Sequence, residues 1–389
     1  MSLRVVYIQN TGPAAYPPLE HSAGIFASRG ASVTFLGVRA EGAANTFSFS
    51  RPDIARVHLL RQWRRNRFTR VLGYAAFLGW ATARALLESP RIIYISDPRA
   101  TPVGVLLTRL TKALIIYHEH DSPGPAKDLI GKFVMRSRQS MARRALFCVL
   151  PGPQRAAYFK ETLSGAAKVL TVLNCPSLNE VRPTPVPVAE GTPIRLCYHG
   201  SLVPARLPLA LLHAMAAFPQ GIDLQIAGYE TNGHPGYMEK FMAEAEVLGI
   251  RHRVDYLGSL ETRADILAAC SRCHVGLAFM PQTSTDVNEK SMAGASNKVF
   301  DYLACGLAVL VSDLPDYREL LVDSGLAVAC DSNESASIAQ ALRCMLEKSA
   351  QINGMAERGR HRIIEEWNYE KQFQPVLDAL ADSTGRRIG

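Results

Sequence analysis

The chain has 389 residues, of which 48% are hydrophobic and 20% charged, and it carries a formal net charge of +8. That length exceeds one typical domain and the apolar content suffices for packed cores, so two domains are expected. No run of 18 or more uncharged apolar residues occurs, which excludes a membrane-spanning helix, and Met1 to Ile8 reads as a strand rather than a signal peptide. A soluble, cytoplasmic protein is the expectation.

Taken in order, the first strand is expected at 5–8, and the segment Gln9 to Tyr16 after it lacks a GxGxxG fingerprint. That counts against a dinucleotide oxidoreductase. After a strand at 33–36, Arg61, Arg64, Arg65, Arg67 and Arg70 crowd together, followed by an apolar helical stretch at 72–80 with one aromatic-rich face. Basic residues beside exposed aromatics suit peripheral contact with an anionic membrane, the inner face of the plasma membrane for a cytoplasmic chain. The alternative is a core helix behind a solvated arginine turn. Strands follow at 92–95, 114–117, 147–150 and 169–172, with a second basic cluster of Arg136, Arg138, Arg143 and Arg144 between them. His118, His120 and Asp121 fall at the end of the strand 114–117, where residue types alone suggest side chains fixing a turn. No named nucleic-acid module is present, so nucleic acid is not an expected partner.

Alternating strands and helices indicate βα units and a parallel sheet. The proline-rich stretch 183–193 cannot continue a helix or a central strand and marks the expected domain boundary. A second series follows at 194–198, 223–227, 254–257, 275–279, 308–311 and 326–329. Two doubly wound α/β domains facing a central cleft are therefore predicted, with ligands beyond the carboxyl ends of the strands. Cys270-Ser271-Arg272-Cys273-His274 has the spacing of covalent haem attachment, but it lies in a helix entering a buried strand with no export signal, and no second ligand pair suits zinc. No metal and no cofactor are expected.

Residues 296–313 read as a capped helix, a glycine stop and a buried strand. Ser296 or Asn297 is a good N-cap, and the free first-turn amides form an anion site. Lys298 adds a cation there, and Asp301 shares its helical face at i+3, so one ligand can meet a cation for its phosphate and a carboxylate for a sugar hydroxyl. An amphipathic helix with an internal salt bridge explains the same pattern.

These residues resemble the nucleotide-sugar-dependent glycosyltransferases of family 4, over most of the chain. The likeness rests on Tyr198-His199-Gly200-Ser201-Leu202, on Leu224 to Gly228, on Val254 to Leu260 and above all on Asn297 to Gly306, similar to the family's lysine-x-x-acid-Tyr-x-Ala-x-Gly segment. The resemblance implies the GT-B fold: an acceptor-binding domain over 1–182, the linker 183–193, a nucleotide-sugar domain over 194–366, and a terminal segment 367–389 crossing back to the first domain. It implies transfer, with retention, of a sugar from a UDP- or GDP-linked donor to a saccharide or lipid-linked acceptor, as in polysaccharide assembly, with no metal. Lys298 and Arg206 would neutralise the departing diphosphate and, with His120, form the catalytic set. Gly200, Ser201, Gly228, Gly258, Ser296, Asn297 and Asp301 would complete the nucleotide-sugar site, Asp301 on the ribose. His118, Asp121 and Glu289 would contact donor sugar or acceptor. Departures are Ala293, where many members have a second carboxylate, and Ser201, where an arginine is usual. They leave open a non-catalytic binding subunit, and the same fold admits a sugar-nucleotide epimerase or hydrolase.

Overall fold

The structure is a computed structural model that describes residues 3–39, 47–61, 66–182, 187–188, 192–347 and 349–384. The chain forms two compact units, one of Met1–Asn174 with Tyr369–Gly389 and the other of Cys175–Asn368. Both are α/β, and each is built on one wholly parallel sheet among helices.

The first unit has the strands β1 (Arg4–Gln9), β2 (Ser32–Val38), β3 (Arg56–Leu60), β4 (Ile92–Ser96), β5 (Leu114–His118), β6 (Phe147–Leu150) and β7 (Val169–Thr171), in the order β3-β2-β1-β4-β5-β6-β7. Runs such as Val5-Val6-Tyr7-Ile8 are apolar on both faces because helices cover both. Tyr7, Phe35 and Tyr94 pack on one side, and Ile8, Leu36 and Ile95 on the other. The order reverses between β1 and β4, which opens a crevice at their carboxyl ends. The C-terminal helix Tyr369–Thr384 buries Phe373, Val376 and Leu380 in the first of these cores. Strand β3 was not expected from the sequence. It is a short edge strand in which Arg56 and His58 interrupt the apolar residues.

The second unit has β8 (Ile194–Leu202), β9 (Ile222–Glu230), β10 (Val254–Tyr256), β11 (Val275–Ala278), β12 (Ala308–Ser312) and β13 (Ala327–Cys330), in the order β10-β9-β8-β11-β12-β13, with its reversal between β8 and β11. The expected boundary at 183–193 falls inside this unit, and 183–186 and 189–191 lie outside the described residues. The unit begins earlier because 178–182 is pinned to it. Arg263 Nε donates to Glu180 Oε1 at 2.6 Å, and the Arg182 amide donates to the Ala304 carbonyl at 3.0 Å. It ends at Asn368, whose buried side-chain amide donates to the Ile363 and Ile364 carbonyls.

Of the two arginine clusters, Arg64 and Arg65 lie outside the described residues. Arg138 leaves the second cluster altogether: it is buried and donates to both oxygens of Glu119, at 2.6 and 2.7 Å. Helix Arg67–Glu88 buries Phe77, Ala81 and Ala85, so the stretch 72–80 packs as a core helix, while Phe68, Val71 and Leu72 near its start are exposed.

Candidate functional site

In the second unit the helix Asn297–Ala304 starts beside the end of β8. Ser296 is its N-cap in extended backbone, but its side chain makes no capping bond, so the first-turn amides stay available. The helix is seated by Tyr302, whose hydroxyl donates to the Leu277 carbonyl at 3.1 Å and lies 3.2 Å from the His199 amide. Its ring fills the space over Gly276, where a Cβ would come within 2.1 Å.

Lys298 at the start of this helix reaches Tyr198, with Nζ 3.4 Å from its hydroxyl and 4.8 Å from its ring centroid. It passes over Gly200, whose φ of 113° and missing Cβ are both required, because an added Cβ would meet Lys298 Cε at 2.9 Å. Arg206 donates to Ser201 Oγ at 3.0 Å on the loop after β8. Neither cation makes an ion pair among the described residues. Burial and the nearby Arg206 push the Lys298 ammonium well below its usual value. Two cations near one another, neither in an ion pair among the described residues, stand at the start of a helix without a side-chain cap, an arrangement that favours a multiply charged anion. Gly228 and Gly258 lie at the ends of the neighbouring strands, where a Cβ on Gly228 would strike the Gly200 carbonyl at 2.2 Å.

Asp301 does not sit free beside Lys298. It is 1% exposed, and Arg263 donates to Oδ1 at 2.5 Å and to Oδ2 at 3.1 Å. His199 Nε2 lies 3.5 Å from Oδ2, but burial, with Lys298 and Arg263 nearby, keeps that imidazole neutral. The carboxylate is thus the centre of a buried charge cluster rather than one half of an i, i+3 pair. Glu289 is held by Ser284 Oγ at 2.5 Å, and Ala293 is buried with its amide on Asp316 Oδ2 at 2.9 Å.

In the first unit, Gln9, Ser96, Asp97, His118 and His120 gather at the carboxyl ends of β1, β4 and β5. The His118 and His120 rings lie 3.9 Å apart between centroids. Tyr94 Oη lies 2.7 Å from His118 Nδ1, and Ser96 Oγ lies 3.1 Å from His120 Nε2. Burial drives His118 well down and takes His120 to about 4, so both are neutral and can stack. Burial pushes the Asp97 carboxyl up to about 7. Asp97 has a φ of 65°, unusual for a residue with a side chain, and accepts from the His120 amide at 3.0 Å. Three buried atoms here have no hydrogen-bond partner among the described residues: His118 Nε2, His120 Nδ1 and Gln9 Oε1. Unpaired polar atoms in one crevice can take hydrogen bonds from a polar ligand or from water. Asp121 points outward and is held by Arg155 Nη1 at 2.9 Å.

Asp97, Gln9, Ser96, Tyr198 and Arg263 were missed by sequence reasoning. Gln9, Ser96 and Asp97 follow apolar runs and are brought together only by the strand order, while Arg263 reaches Asp301 only through packing.

Residues 16–175 match the family model of a glycosyl transferase 4-like domain, and residues 208–378 match that of a glycosyl transferase-like domain. Sucrose-phosphate synthase from Thermosynechococcus elongatus is similar in structure at a TM-score of 0.73 and 15% identity, over 98% of this chain and 99% of that one. HepE of Anabaena, solved in complex with UDP and glucose, gives 0.73 and 16% over 98% and 100%. A glycosyltransferase from Rickettsia africae gives 0.70 and 10% over 98% of each chain. At such identities the likeness speaks for the fold. No curated protein matches the sequence.

Proposed function

Since both its domains match glycosyltransferase models, the chain belongs to the GT-B glycosyltransferases, and from that premise we propose that it transfers a sugar, with retention, from a nucleoside diphosphate donor to a saccharide or lipid-linked acceptor. The convergence of Lys298 and Arg206 on the uncapped amides of helix Asn297–Ala304 carries this reading. Charge develops on the diphosphate as the sugar leaves, and two fixed cations with no carboxylate partner among the described residues stabilise that charge without reorganisation. The same two side chains do what a divalent cation would otherwise do, so the reading predicts activity that survives EDTA. Uridine diphosphate is the first donor base to try, because HepE binds UDP and UDP-glucose in its solved complexes.

On this reading Asp301 acts through Arg263, holding the phosphate-binding helix, and reaches a ribose only by exchanging that partner. In the first unit His118, His120 and Gln9 hold hydroxyls of the sugar or acceptor, and the Asp97 carboxyl accepts a hydrogen bond from one of them. A donor phosphate oxygen takes the acceptor's proton. The exposed Phe68 and Leu129, with Arg70, Lys132 and Arg136 on the same two helices, support a peripheral contact of this unit with an anionic membrane surface.

The test incubates the protein with UDP-glucose and UDP-galactose, with and without a panel of saccharide and prenyl-phosphate-linked acceptors, and reads products by mass and anomeric NMR. Acceptor-dependent formation of a glycoside with the donor's anomeric configuration is expected. Donor consumed equally without acceptor would make the protein an epimerase or hydrolase instead.

A further inference from the structure

An apolar cavity of about 370 Å³ opens in the first unit between the turn Pro13–Ala15 and the edge strand β3. Its walls are Pro13, Ala14, Phe47, Phe49, Val57 and Leu59, and none of the residues lining it is ionisable. Phe49 is buried and packs on Phe35 with ring centroids 5.2 Å apart, so that wall is fixed. Behind these walls, Gly37 lets the backbone at Thr11 and the Leu59 side chain approach closely. A Cβ there would meet the Thr11 carbonyl at 2.7 Å and Leu59 Cδ2 at 3.0 Å. Val57 and Leu59 remain 41% and 39% exposed on an edge strand, a place where exposed apolar side chains are a liability unless something covers them.

The wall formed by Pro13–Ala15 is shared. Tyr16, the next residue, packs its ring 5.1 Å from that of His120, and Gln9 lies a few residues earlier at the end of β1. One turn of chain therefore separates the polar crevice, with its unpaired hydrogen-bonding atoms, from a mainly apolar cavity among whose lining residues Ser48 alone has a polar side chain. Placing a charged or sugar group in that cavity would strip its water without replacement. A hydrocarbon chain would gain by burial.

We infer that this cavity holds the hydrocarbon portion of the acceptor, an alkyl or terpenoid chain whose polar head lies in the crevice of Gln9, Asp97 and His120. The inference rests on the glycosyltransferase reading and sharpens it, making the acceptor an amphiphile rather than a free sugar. The exposed apolar and basic surface at the starts of helices Arg67–Glu88 and Leu129–Arg144 agrees with it. Helices of a parallel sheet that follow their strands start at the carboxyl end, the end where the crevice lies. Delivery of an amphiphile from a membrane then needs no passage through water.

The test uses octyl and methyl β-glucoside below micellar concentrations, titrated calorimetrically into the wild type, into Ala14→Trp, which fills the cavity, and into Leu59→Gln, which makes its wall polar. UDP and GDP thermal shifts are recorded on all three proteins. The octyl probe should bind the wild type at least tenfold more tightly than the methyl probe, and both substitutions should abolish that preference while leaving the nucleotide response unchanged. Equal binding of the two probes to the wild type, or a preference that survives both substitutions, would overturn the inference. A chain-length preference in a protein that answers to neither nucleotide would overturn the transferase reading and spare the cavity.

Discussion

The Lys298 ammonium sits in the first turn of its helix, partly buried and near Arg206, and each of these three circumstances disfavours a cation. A side chain kept in such a place is explained by what it binds rather than by what it stabilises. Lys298→Met should therefore leave the thermal midpoint unchanged or raise it, whereas a comparable truncation of a core residue costs about 2–5 kcal/mol. A midpoint that falls by the core amount would mean Lys298 is structural. His120 gives a pH prediction of definite sign. Its native value near 4 lies below the ordinary 6.5, so between these the unfolded chain binds a proton that the folded one does not. Stability should rise with pH across that window, and His120→Gln should remove about 3 kcal/mol of the rise, as read from urea unfolding at several pH values. Asp97 acts in the opposite sense. Its native value near 7 lies above the ordinary 3.8, so its contribution is present at low pH and fades as pH rises toward 7. The Asp97→Asn variant should therefore show the steeper rise. Identical profiles for both variants and the wild type would contradict these environments.

At the scale of the element, the helix Asn297–Ala304 is placed by three neighbours: Gly276 under Tyr302, Arg263 on Asp301, and Trp367 edge-on against Phe300 at 5.6 Å. Gly276→Ala puts a methyl group into the Tyr302 ring. It should cost about 3 kcal/mol in chemical denaturation and weaken nucleotide binding, because the helix start moves with the ring. Unchanged stability would mean Tyr302 has room to turn. All twelve expected strands are present, since continuous apolar runs bounded by Gly, Ser and Asp are what parallel strands covered on both faces require. Strand β3 escaped because the polar Arg56 and His58 break that pattern at a sheet edge. The grouping of Lys298, Arg206 and the glycines, proposed as the phosphate site, was legible because their spacing follows a strand end and a helix start. What pairs with Asp301 was not, because Arg263 lies 38 residues away in sequence and only packing brings it there. The same holds for Arg138, which counted as surface charge until its bond to Glu119 was seen.

For the molecule as a whole, the net charge is +8, and both arginine-rich stretches lie in the first unit, which also exposes large apolar side chains. Phe68 is 70% and Leu129 79% exposed, and the pair Arg70–Asp128, at 3.3 Å, joins the starts of their two helices. No helix among the described residues is long and apolar enough to cross a membrane. Co-sedimentation with vesicles containing 30% phosphatidylserine should be seen at low salt and fall as ionic strength rises. It should be lost in Phe68→Ser/Leu129→Ser. Indifference of the wild type to anionic lipid would remove the membrane from this account.

The central claim is that Lys298, Arg206 and the helix start form a diphosphate site. It is tested most directly by titrating UDP, GDP, ADP, dTDP and CMP, with uridine as control, into the wild type and Lys298→Ala by calorimetry. One nucleoside diphosphate should bind the wild type selectively and lose at least tenfold in affinity in the variant, about 1.4 kcal/mol or more for a charged contact. Uridine should show no such difference. Equal affinity of that diphosphate for both proteins, or no binding of any of them to well-folded wild type, would contradict the claim.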